Sequence, residues 1–132
     1  ELSREPIRCA VSIYHPLAAR DRLTAEDLHG ENFLLIRRGW NRYLDQMRDE
    51  LWRDHPQIHI VDFEMFNINV FNQCENSEDI LMTIDNWRQV HPLLKTIPVD
   101  WSYTIPYGLL HSPRPTPTVR RFLKAVQTVY QL

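Results

Sequence analysis

Two adjacent arginines, Arg37 and Arg38, followed by Gly39, Trp40 and Asn41, are the densest concentration of binding chemistry in this chain. A guanidinium offers a planar fork of donors to a carboxylate or phosphate, so the pair is placed to hold an anion. The alternative is that one or both are solvated surface residues. Trp40 either stacks on a ligand or opens an apolar helical stripe, and Gly39 suits a close backbone approach. A second group, Phe63, Glu64, Met65 and Phe66, offers an apolar lining with one carboxylate. Glu64 suits a cationic or hydroxylated ligand, or simply sits at a helix start where the dipole favours it. Thr83 and Asp85 form a third group. Residues for turnover are harder to find. His55 and His59 are four apart, but Pro56 breaks any helix between them and no third ligand stands close in sequence. Gly-x-Ser-x-Gly, Walker and Gly-x-Gly-x-x-Gly patterns are absent. Cys9 and Cys74 lie in apolar stretches without a ligand spacing and read as buried free thiols, as in a reducing compartment. His15 and His91 each precede a proline, and structural hydrogen bonding accounts for them better than chemistry does. Binding is expected, with no catalytic residue, no metal and no cofactor.

These groups must be held by regular elements. Residues 7–14 are rich in β-branched side chains and read as a strand ended by His15-Pro16. Thr24 caps one or two helical turns that stop at Gly30. Residues 33–36 are continuously apolar, as in a strand covered on both faces. Beyond Gly39, Trp40, Tyr43, Leu44, Met47 and Leu51 recur at helical spacing. Residues 58–63 read as a second buried strand, Phe66, Val70, Phe71 and Cys74 as a shorter helix, and residues 80–84 as a third strand. Residues 94–99 and 104–111 follow as extended segments at an edge or bend, since each contains a proline. Thr116 caps a last helix with Pro117 in its first position and a stripe of Val119, Phe122, Leu123, Val126 and Tyr130. Alternating strands and helices predict an α/β fold, doubly wound, with a mainly parallel sheet and helices on both faces. In such sheets ligands bind beyond the carboxyl ends of the strands, where all three residue groups stand.

The bulk numbers narrow the function. At 132 residues, 43% apolar and 24% charged, the chain can bury one core. A formal charge of −2, with acids and bases intermixed, excludes the clustered basic surface that grips DNA. No apolar run reaches the roughly 18 residues of a membrane span, so no membrane partner is expected. There is no signal-peptide pattern. Because it begins at Glu1 without methionine, the chain is expected to be a trimmed piece of a longer protein.

The order of several short segments carries a resemblance. Tyr14-His15-Pro16-Leu17-Ala18, then Leu23-Thr24-Ala25-Glu26-Asp27-Leu28-His29-Gly30-Glu31 and the strand at residues 32–36, resembles the effector-binding domain of LysR-type transcriptional regulators. Val90-His91-Pro92-Leu93-Leu94, Ile97-Pro98-Val99-Asp100-Trp101, Pro106-Tyr107-Gly108-Leu109-Leu110 and the helix reaching Tyr130 are similar to that family's closing segment. One departure is Cys74-Glu75-Asn76-Ser77-Glu78-Asp79, where family members usually carry glycines; Asn76 is the residue able to supply a left-handed turn there.

The resemblance implies a type II periplasmic-binding-protein-like subdomain, with residues 1–106 as the second subdomain of the effector domain. Residues 107–132 would then be the return crossover and terminal helix of the first. It implies a cytoplasmic regulator that binds a small-molecule effector, forms a homo-oligomer and touches DNA only through an N-terminal helix-turn-helix outside this chain. The implied effector cleft uses the first two groups, sometimes the third: Arg37, Arg38, Gly39, Trp40 and Asn41; Phe63, Glu64, Met65 and Phe66; Thr83 and Asp85. The rivals are a solute-binding protein of a transport system, which would be exported, and an enzyme on a similar bilobal sheet. The apolar stripe of the last helix is expected to dock on the body of the same chain or against another copy, because short helices bare in water are marginal.

Overall fold

A computed structural model describes residues 1–131. Leu132, the last residue of the segment 107–132, lies outside the described residues. The chain forms two compact units, Pro6–Ile105 and a smaller one that joins Glu1–Glu5 to the chain from Pro106 onward.

The larger unit is built on five strands in the order β4-β3-β5-β2-β6, with β2 Arg8–Ser12, β3 Asn32–Ile36, β4 His59–Phe63, β5 Ile80–Thr83 and β6 Leu94–Ile97. β3 pairs parallel with both β4 and β5, and β2 pairs antiparallel with both β5 and β6. Four of the five strands therefore run the same way. Because the reversed strand is inserted between two of them, two of the four hydrogen-bonded junctions are parallel and two antiparallel. β2 leads to β3 through two single turns of 3-10 helix, Pro16–Ala19 and Ala25–Leu28, and β5 later enters between the two strands.

Helices α1, Arg42–Asp54, and α2, Ile68–Glu75, cover opposite faces. The period-2 alternation of the central strands decides which side chains each helix meets. Cys9, Val11, Phe33, Leu35, Ile80 and Met82 join Leu44, Met47 and Leu51 of α1 in one core. Ala10, Leu34 and Leu81 point the other way and join Val70, Phe71 and Cys74 of α2. Both helices start on an asparagine: the Asn41 carboxamide oxygen accepts from the amides of Tyr43 and Leu44 at 2.9 and 3.2 Å, and Asn67 does the same for Asn69 and Val70 at 2.9 and 3.3 Å.

Three local expectations are corrected. Residues 58–63 are not a strand buried on both faces: Ile58 is buried, but β4 is the edge of the sheet and His59, Val61 and Asp62 are exposed, because no element covers its outer side. Asn76 is not left-handed; it closes α2 at φ −91°, and its amide nitrogen donates to the Asn72 carbonyl at 3.0 Å. Positive φ falls instead on Gly30 and Gly39, at 80° and 101°, and on Gln131, at 55°, which closes the last helix. Trp40 does not begin the apolar stripe, since α1 starts two residues later and the indole is 53% exposed.

A separate two-stranded sheet pairs β1, Ser3–Pro6, with β7, Thr104–Tyr107, and the smaller unit also holds helix α3, Pro117–Tyr130. Thr116 caps α3 as its sequence predicts, its hydroxyl accepting from the Val119 amide at 3.3 Å. Its stripe is only partly covered, with Val119, Leu123 and Val126 half-buried. No residue of α3 is buried, and Phe122 is 59% exposed. The stripe needs an apolar surface larger than two short strands provide.

Candidate functional site

The winding of the chain fixes where a site can form. From β3 the chain crosses through α1 to β4 on one side, then through α2 to β5 on the other side of β3. The direction of winding thus reverses between β3 and β5, leaving a crevice beyond their carboxyl ends. The three groups singled out in the sequence follow β3, β4 and β5 and stand along this one edge.

The structure gives each of them a partner. Arg37 donates its backbone amide to the Phe63 carbonyl at 2.9 Å, and its guanidinium pairs with Glu64 at 2.8 Å while lying 5.5 Å from the centre of the Trp40 ring. Glu64 is 86% exposed, so this ion pair is open to exchange with water or a ligand. The Gly39 amide donates to Asp45 at 3.1 Å, and Asn41 is occupied as the cap of α1. Phe63 and Phe66 meet edge to face at 4.6 Å, and Phe66 continues onto Trp87 at 4.7 Å, tying the loop after β4 to the loop after β5. Met65 is exposed.

Two of the expected residues are turned elsewhere. Arg38 pairs with Asp49 of α1 at 2.6 Å, which holds that carboxyl below its usual range, and it does not share a partner with Arg37. Thr83 is buried, and its hydroxyl donates to the Ile84 carbonyl at 3.3 Å. A hollow of about 860 Å³ lies beside Arg38 rather than at the strand ends, running between Asp49, Trp52 and the outer side of β4. It is bordered by an unpaired edge strand, whose free amides and carbonyls suit backbone pairing better than a small ligand.

Arg8 was missed in the sequence. It opens β2, and because β2 runs antiparallel to β5 it arrives opposite Thr83, at the same edge. Its Nε stands 2.9 Å from Asp85 Oδ1, too poorly aligned for a hydrogen bond, so both atoms are buried without one. The available signal was a lone charge inside an otherwise apolar strand. The ends of the strands therefore present, in sheet order, Glu64, Arg37, Asp85 and Arg8, with charges alternating in sign.

The chain matches the family model described as the LysR substrate binding domain over residues 1–131. It belongs to that family. Its fold is that of the effector-binding domain of a BenM variant, with a TM-score of 0.70 at 15% identity, covering 98% of this chain and 63% of that one. The regulatory domain of CcmR from Synechocystis, in complex with 2-PG, aligns with a TM-score of 0.67 at 13% identity, covering 98% and 64%. HinK, a LysR family transcriptional regulator from Pseudomonas aeruginosa, gives 0.68 at 13% identity, covering 97% and 46%. This LysR-family chain thus spans under two thirds of the length of these structures. A sequence search of curated proteins gives no match.

The histidines that precede proline serve the LysR-family frame. In both His-Pro-Leu segments the imidazole Nδ1 accepts from the amide two residues on, Leu17 at 3.0 Å and Leu93 at 3.2 Å. His29 and His55 meet at 3.0 Å between their ring nitrogens, and His59 is not part of that contact. Among the described residues no group of three His, Cys, Asp or Glu side chains is arranged to hold a metal ion. No described helix is long and apolar enough to cross a membrane.

Burial pushes the Cys9 thiol far above its normal range, and burial with the nearby Asp79 charge takes Cys74 up to about 12. Neither supplies thiolate at neutral pH. Both are expected to stay unreactive toward a thiol reagent such as dithiobisnitrobenzoate in the folded protein and to react fully in denaturant. Rapid labelling of either one under native conditions contradicts this.

Proposed function

We propose that this chain is the larger part of the effector-binding region of a cytoplasmic LysR-type transcription regulator. It binds a small molecule at the carboxyl ends of β3, β4 and β5 and performs no catalysis. The family match over residues 1–131 carries the reading. The winding reversal between β3 and β5, with charged and aromatic side chains gathered beside it, supports the placement of the site. On this reading Arg37, Trp40, Glu64, Met65, Phe66 and Asp85 face the effector, with Gly39, Asn41 and Phe63 shaping the rim, and Arg38 and Thr83 contribute least. Relatives of this fold have been solved with shikimate and with benzoate, both small organic molecules.

The body, Pro6–Ile105, serves as the second subdomain, and the chain from Pro106 onward returns to a first subdomain outside this sequence. The incompletely buried stripe of α3 supports that division, since covering its apolar side chains fully requires a larger apolar surface. The unpaired outer side of β4 supports association of two copies. DNA is gripped through a helix-turn-helix outside this chain, because a slightly acidic surface releases few counterions. Effector binding shifts the population of arrangements in which the intact protein sits on DNA. Export as a solute-binding protein is not favoured, since the similar structures described above are regulators.

The test uses the intact protein. A metabolite library is screened by thermal shift, and each stabilising compound is then added to a DNA footprint of the protein on its own promoter. The expected result is a footprint that changes in extent while the compound is recovered unaltered. A compound consumed over time, or no salt-dependent DNA binding by the intact protein, overturns the reading.

A further inference from the structure

Given the effector-site reading above, the same edge also sets the chemical class of the ligand. At the winding reversal the two lips carry opposite charges: Arg37 follows β3 and Asp85 follows β5, strands that pair directly and so lie about 4.8 Å apart. Each of these groups has its own neighbour of opposite sign on the far side, Glu64 for Arg37 and Arg8 for Asp85.

We infer that the effector is zwitterionic, an amino acid with an apolar side chain, whose carboxylate is taken by Arg37 and whose ammonium is taken by Asp85. A simple anion on Arg37 would displace Glu64 and settle beside two carboxylates, with nothing to offset either. A simple cation on Asp85 meets the mirror problem with Arg8 and Arg37. A ligand carrying both charges leaves the edge neutral and gives each side chain a counter-ion. Asp85 faces Arg8 through its buried Oδ1, while the side chain as a whole is 36% exposed and so stays reachable by an ammonium from the solvent side. Trp40 and Met65, both more than half exposed, provide apolar surface beside the charges for the ligand's side chain.

The test is calorimetry on the intact protein with two matched series: L-phenylalanine, 3-phenylpropionate and phenethylamine; L-leucine, 4-methylpentanoate and isopentylamine. At least one amino acid is expected to bind 10-fold or more tightly than both of its single-charge analogues. Arg37→Gln and Asp85→Asn should each weaken it by 10-fold or more, while the thermal midpoint of the free protein stays within a degree or two. Should Asp85→Asn lower that midpoint further, Arg37→Gln and the analogue series still decide the matter. An acid analogue that binds as tightly as its amino acid, and loses affinity in Arg37→Gln, keeps the site but overturns the zwitterion. Failure of both amino acids to bind at 10 mM overturns it as well. A bound probe whose affinity neither substitution changes removes the effector site from this edge altogether.

Discussion

Replacing Phe33 by alanine is expected to lower the stability of the folded protein by about 3–5 kcal/mol, the usual cost of deleting a fully buried aromatic side chain. Phe33 is completely buried in the second-from-edge strand and paired with Ile60 on one side and Ile80 on the other. Its ring stacks on Trp101 at 6.0 Å and 13° between planes, and the Trp101 indole in turn donates to the Ile7 carbonyl at 2.7 Å. Removing the ring therefore opens a void between β3 and the segment that follows β6. Natural domains have only about 5–15 kcal/mol to lose. Urea unfolding of the intact protein checks this, and a shift below about 1 kcal/mol would show that the core around Phe33 collapses without cost.

The second large effect concerns function, and it separates two residues that the sequence could not. Arg37→Ala is expected to weaken an effector bearing an acidic group by roughly tenfold to a hundredfold, since a hydrogen bond to a charged group is worth about 1.5–3 kcal/mol. Arg38→Ala is expected to change affinity by less than about threefold, because an exposed ion pair contributes little and its partner Asp49 faces away from the strand ends. Neither change should harm folding, as both guanidinium groups are about half exposed. Titration of the two variants with the same effector decides it. Equal losses would mean that Arg38 swings to the edge when ligand binds.

Much of this protein was legible in the sequence because period and punctuation are local. The stripe Leu44, Met47, Leu51 fixed α1, Thr116-Pro117 fixed the start of α3 to the residue, and the apolar runs at β3 and β5 marked the strands that are covered on both faces. The candidate groups were found by the same means, as the residues that end a strand and precede a helix. The family could be recognised because several such local signals recur in a fixed order.

Strand order and direction were decided only in three dimensions. Nothing local tells β4 that it will lie at the edge, so Val61 reads as buried when it is exposed. Nothing local tells β2 that it will run against its neighbours, and that reversal alone brings Arg8 to Asp85 across 77 positions of sequence. The partner of each arginine was likewise out of reach, since Arg37 and Arg38 are identical neighbours in sequence, and it is the turn that begins after β3 and the placing of α1 and the residue after β4 that give them different carboxylates. Backbone periodicity is encoded within a few residues, whereas charge pairing at an edge depends on which strands the whole chain brings side by side.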